Sequence, residues 1–128
     1  DHGLADRITF AGEVTADTLE EIYRTADMFV LASRHEGYGM AFAEALAHGL
    51  PVIGCAVGAL PETVPANAGM LVPADNPGAL AAAVKRLLTD TSERCAMAEA
   101  AWQYGNTLPT WEQAAAQVEA VLAAAMTA

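Results

Sequence analysis

Positive charge is scarce in this chain. Six Lys and Arg stand against sixteen Asp and Glu, for a net charge of −10 over 128 residues. That balance excludes a nucleic-acid surface, which must neutralise phosphates with cations, and disfavours an anionic membrane leaflet. Long apolar runs are missing too: none reaches spanning length, and the opening DHGLADR has no basic segment of the kind that begins a signal peptide. Cysteine is limited to Cys55 and Cys95, with no CxxC pair and no disulfide framework. A reduced, cytoplasmic setting is expected, with both thiols acting as small buried apolar side chains. His2, His35 and His48 lack ligand spacing, so no metal site is expected. His35 reads as loop surface, and His48 suits the dipole at a helix end. Two phosphate signatures are also absent. There is no Walker A loop, and GxGxxG fails because Phe42 stands where its third glycine would fall.

What is present suits one domain with one core. The chain starts at Asp1 and enters strand-like sequence within a few residues, which reads as a processed or truncated piece. RITFAGEV, residues 7–14, mixes β-branched and aromatic residues ahead of a glycine turn and predicts a strand. Helical spacing follows at Leu19, Ile22, Tyr23 and Ala26, with Thr15 or Asp17 as cap. DMFVLAS, 27–33, is nearly all apolar, as for a strand covered on both faces. A helix from Met40 to His48 stops at Gly49. PVIGCAVG and GMLVP read as further strands, separated by the short helical turn ALPETV.

Beyond Asn76 the pattern is helical. Pro77 stands near the start of one helix, with Leu80, Val84, Leu87 and Leu88 on one side. A second helix opens at Thr91 or Ser92. A third follows Thr110, with Val118, Val121 and Leu122 as its apolar stripe. Most of the thirty alanines fall in these helices. The expected organisation is therefore one partial domain, a βαβ core over 1–75 followed by C-terminal helices over 76–128. Its fold class is α/β, a Rossmann-like parallel sheet with flanking helices.

Ligands of such sheets bind beyond the carboxyl ends of the strands. SRHEGYGMAFAEALAHGLPV, residues 33–52, sits at one of those ends. A helix beginning near Met40 offers unpaired backbone N–H groups and partial positive charge. Gly37 and Gly39 let a ligand approach the backbone closely, so an anion can be held there without lysine. Glu36 stands in the loop, and Glu44 lies four residues into the helix on the face of its binding end. Carboxylates beside a nucleotide accept hydrogen bonds from vicinal hydroxyls. The alternative is two solvated acids on an ordinary strand-turn-helix connection.

Taken together, ADRITFAGEV, LASRHEGYGMAFAEALAHGLPVIGCAVGALPETV and AGMLVPADNPGALAAAVKRLL resemble the nucleotide-binding C-terminal half of family 4 (group 1) retaining glycosyltransferases of the GT-B fold. Glu36 and Glu44, with seven residues between them, fit the family's EX7E motif. The resemblance implies that Glu44 accepts from ribose hydroxyls and that Glu36, the catalytic-site acid, meets the donor sugar near its 3-hydroxyl. It implies that the Gly37–Tyr38–Gly39 turn, Met40 and Ala41 cradle sugar hydroxyls and diphosphate. It also places Gly12, Glu13 and Val14 beside the base. The donor substrate would be a nucleotide diphosphate sugar, with no metal and no other cofactor.

Two departures from the family pattern stand out. Met40-Ala41 replaces the usual Leu-Pro. The arginine and lysine that the family uses upstream are absent, leaving Arg34 as the cation near the motif. The N-terminal acceptor-binding half of the same enzyme is the implied partner. This piece alone is expected to be inactive and to self-associate over an exposed strand edge. The competing readings are a non-catalytic nucleotide-sugar module, a GT-B sugar-nucleotide epimerase and, more remotely, a two-carboxylate glycosidase.

Overall fold

A strand that must be buried on both faces needs a partner layer on each, and here helices supply both. The computed structural model describes residues 3–126, so Asp1 and His2 lie outside the described residues. After a 3-10 turn at Ala5–Arg7, the elements run α1 (Ala16–Thr25), β1 (Phe29–Leu31), α2 (Met40–Ala47), β2 (Val52–Cys55), α3 (Leu60–Thr63) and β3 (Gly69–Val72). Three helices follow: α4 (Pro77–Thr89), α5 (Thr91–Gly105) and α6 (Trp111–Met126). The strands form a parallel sheet in the order β1-β2-β3, with Val30 opposite Ile53 and Ile53 opposite Met70. All four residues of central β2 are buried.

On one face Phe42, Ala45 and Leu46 of α2 pack with Tyr23, Val52, Leu60 and Ala101. On the other, Ala83 and Leu87 of α4 and Met97 of α5 close over Ile53 and Val72. Phe42, Leu46, Ile53, Leu60 and Leu87 are essentially inaccessible, and burying each contributes about 1.5–3 kcal/mol. α5 ties the faces together by touching both α4 and α2.

Local signals set the helix ends. Thr15 Oγ1 accepts from the Thr18 N–H at 3.3 Å, and Asn76 Oδ1 from the Ala79 N–H at 3.0 Å, with Pro77 following. α2 ends in a Schellman motif: Gly49 N–H donates to Leu46 O at 2.9 Å and Leu50 N–H to Ala45 O at 3.0 Å. Thr110 and Gln113 cap α6 reciprocally, each side chain accepting from the other's backbone N–H.

Several expectations are corrected. Residues 7–14 are not a strand; Ile8 is half exposed and Phe10 almost wholly so. A strand exists by hydrogen bonding to a neighbour, and none of β1, β2 or β3 pairs with this segment. β1 is covered on one face rather than both: Phe29 and Leu31 pack against the α2 side, and Val30, which points to the opposite face, is exposed. The α5 cap is Asp90, whose carboxylate accepts from the Glu93 N–H at 2.8 Å, so Thr91 is already helical. Leu88 points to solvent, unlike Leu87. Cys55 is buried as expected, whereas Cys95 is exposed.

Candidate functional site

The turn between β1 and α2 takes its shape from two glycines in left-handed conformations. Gly39, φ 85°, is the N-cap of α2, and its buried Cα leaves no room for a side chain: a Cβ would stand 2.5 Å from Leu60 Cδ2. Gly58, φ 56°, lies in the loop before α3, where a Cβ would overlap the Glu36 carbonyl oxygen. The Ala59 N–H donates to Gly37 O at 3.3 Å. The β1–α2 turn is thereby seated on the loop that leads into α3.

No side chain caps α2. The Gly39 carbonyl accepts from Phe42 and Ala43, both at 3.0 Å, and the Met40 and Ala41 N–H groups have no acceptor among the described residues. The helix mouth therefore keeps donors and partial positive charge for an incoming group. One turn further on, exposed Glu44 joins Tyr38 and Met40 along a groove of about 650 Å³, whose other wall is Leu108, Pro109 and Trp111. No Lys or Arg lines this groove.

Each of the two acids is held by a hydroxyl. Ser33 Oγ donates to Glu36 Oε1 at 2.7 Å, and Tyr23 Oη donates to Glu44 Oε2 at 3.3 Å. Burial, then the charge and hydrogen bond of Glu44, push the Tyr23 phenol above its ordinary value, so it remains a donor at neutral pH. Glu36 is half-buried in the turn and does not line the Glu44 groove.

The structure brings Tyr38, Met40 and Glu44 together in the groove. Gly37, Gly39 and Ala41 belong to the adjoining turn and helix mouth. Gly12 and Glu13 are exposed and Val14 half-buried; none of the three lines the groove. Arg34 binds Asp75 through Nε at 2.8 Å, turned toward a separate 220 Å³ hollow with Cys55 and Asn76 beyond the strand ends. His35 is exposed, and His48 caps the C-terminus of α2. Among the described residues no cluster of three His, Cys, Asp or Glu could hold a metal.

Sequence reasoning did not find Tyr23, Ser33 or the α6 wall. Ser33, three residues before Glu36, is a local signal that could have been read. Tyr23 lies 21 residues from Glu44, and no spacing rule links them.

Comparison with known proteins now decides the family. The family described as "Glycosyl transferases group 1" matches residues 1–90. The chain belongs to the group 1 glycosyltransferases. This group 1 chain is 35% identical over 112 residues to the D-inositol 3-phosphate glycosyltransferase of Salinispora tropica, covering 87% of itself and 23% of that protein. It is 36% identical over 126 residues to the GDP-mannose-dependent alpha-(1-6)-phosphatidylinositol monomannoside mannosyltransferase of Mycobacterium tuberculosis, covering 92% of itself and 33% of that enzyme. Among solved structures it superposes on sucrose-phosphate synthase from Thermosynechococcus elongatus with a TM-score of 0.88 at 34% identity, over 97% of this chain and 31% of that one. The group 1 chain thus spans about a quarter to a third of the length of these relatives. The family resemblance drawn from the motifs holds, and so does the α/β class, as part of a GT-B C-terminal domain with a helical end.

Proposed function

We propose that this chain forms the donor-binding part of a retaining glycosyltransferase, which moves a sugar from a nucleotide diphosphate sugar to an acceptor hydroxyl. The observation that carries the reading is the uncapped mouth of α2, cut open by buried Gly39, with the Glu44 carboxylate one turn away on the same groove. Ribose hydroxyls meet Glu44, and Glu36 of the EX7E pair meets the donor sugar. The Gly37, Tyr38, Gly39, Met40 and Ala41 segment holds the diphosphate and sugar hydroxyls, where fixed backbone donors stabilise charge growing on the leaving phosphate.

Acceptor attack on the face from which the phosphate departs retains the anomeric configuration. The departing phosphate then helps take the acceptor's proton. The Glu44 groove carries no cation, so the remaining phosphate charge is met from outside this chain. The acceptor site belongs to an N-terminal half of the same enzyme, and the piece alone is inactive. No metal takes part, and the setting is cytoplasmic, which the two free cysteines suit. Among the described residues no helix is long and apolar enough to cross a membrane.

Because one relative is named as GDP-mannose-dependent, GDP sugars are the donors to try first, followed by UDP and ADP sugars. Full-length protein is incubated with each donor and a polyol-phosphate acceptor, D-inositol 3-phosphate being the first to try because a relative is named for it. It should release nucleoside diphosphate and form a glycoside whose anomeric configuration, read by NMR, is that of the donor. Glu36→Gln should remove that turnover while the protein stays folded. A product of inverted configuration, or an epimerised free nucleotide sugar, would replace this reading.

A further inference from the structure

Glu44 lies on the surface, and a free glutamate there samples many rotamers, so fixing it on binding costs side-chain entropy. Here the side chain is already tethered. Tyr23 donates to Oε2 from the interior, and no other group among the described residues hydrogen-bonds this carboxylate. The Tyr23 ring is itself immobilised. It is 8% exposed, stacks on the His48 imidazole with centroids 4.8 Å apart and planes 5° from parallel, and tilts against Phe29 at 6.4 Å. His48 in turn faces Glu20, Nε2 to Oε2, across 3.5 Å. The phenol cannot swing away without breaking that stack.

We propose that Tyr23 is a positioning residue of the donor site, fixing the Glu44 carboxylate through Oε2 so that its remaining acceptor capacity is aimed at a vicinal diol in the groove. The inference rests on the reading of Glu44 as the ribose acceptor. The Tyr23–Glu44 bond at 3.3 Å is long for an O–H···O contact, and it has room to shorten as the ligand draws the carboxylate into place. Tyr23→Phe keeps the ring in its stack and orphans no buried group, because the partner it releases is solvent-exposed Glu44.

The test is calorimetric titration of full-length protein with GDP and UDP and with their 2′,3′-dideoxy analogues, using wild type, Tyr23→Phe and Glu44→Gln. The expected result is that Tyr23→Phe weakens ribonucleotide binding about tenfold, the factor that 1.4 kcal/mol represents, and leaves dideoxynucleotide binding unchanged. Should Tyr23→Phe fail to fold, His48→Ala, which frees the ring but keeps the hydroxyl, should show a smaller loss confined to the ribonucleotide. Equal losses for ribose and dideoxyribose forms would make Tyr23 a general packing residue and overturn the proposal. A ribose-selective loss in Glu44→Gln with none in Tyr23→Phe would also overturn it, leaving the Glu44 reading intact. If neither variant separates the two kinds of nucleotide, the Glu44 reading fails and takes this inference with it.

Discussion

α2 and α6 are both short of charge and rich in alanine, yet they sit in opposite surroundings. α2 has eight residues and buries Phe42, Ala45 and Leu46 against the sheet and α5. α6 has sixteen and buries none; Trp111, Val121 and Met126 are largely exposed. The close approach of α5 to α2 depends on Gly105, where a Cβ would stand 2.5 Å from Ala47 Cα. α6 has no such seat, and its role here is to wall one side of the Glu44 groove through Trp111. The difference shows that alanine content and apolar periodicity make a helix, while a fitted neighbour makes it part of the core. It also explains where chemistry can sit: a carboxylate meant to hold a fixed position belongs on the anchored helix.

Substitutions on the two helices should separate them sharply. Phe42→Ala should cost about 3–5 kcal/mol, the usual loss for a large buried aromatic, read as a lower denaturant midpoint with an unchanged slope. Gly39→Ala should cost about 2 kcal/mol, because it combines a left-handed backbone with a collision against Leu60. It should weaken nucleotide binding as well, since it moves the mouth of α2.

A subtler effect should appear in alkali. The folded-state pKa of Tyr23 is raised by burial first and by Glu44 second. Its contribution to stability is therefore complete below its ordinary value of 10.0 and is lost as pH rises through the higher folded value. Denaturation followed from pH 9 upward should show that loss, and Tyr23→Phe should reduce it. Smallest of all, Leu122→Ala on α6 should change stability by less than about 0.5 kcal/mol. A cost near that of Phe42→Ala would mean that α6 is packed in solution and would erase the contrast.

Much of this arrangement is legible in the residues themselves. The apolar run at 27–33, the helix from Met40 and its glycine stop appear in the structure within a few residues of where the pattern places them. Each is set by a local rule: a short apolar run, helical spacing, a Schellman glycine. The segment 7–14 has the composition of a strand and still forms none, because pairing depends on a neighbour that composition does not specify. Leu87 and Leu88 look alike in sequence, and only the orientation of α4 over β2 and β3 decides which is buried. The site divides the same way. EX7E and the glycine turn are visible as spacing, whereas Tyr23 reaches Glu44 only because α1 packs against α2, and Gly58 supports Glu36 only because β2 lies next to β1.

The central claim is that Glu44 receives the ribose of a nucleotide at the mouth of α2. Its most direct test is calorimetric titration of the protein with GDP, UDP and ADP, in wild type and Glu44→Ala. One nucleotide should bind selectively, and Glu44→Ala should weaken it by about 10- to 100-fold, as expected for losing hydrogen bonds to a charged group. A Glu44→Ala variant that binds the same nucleotide as tightly as wild type would contradict the account.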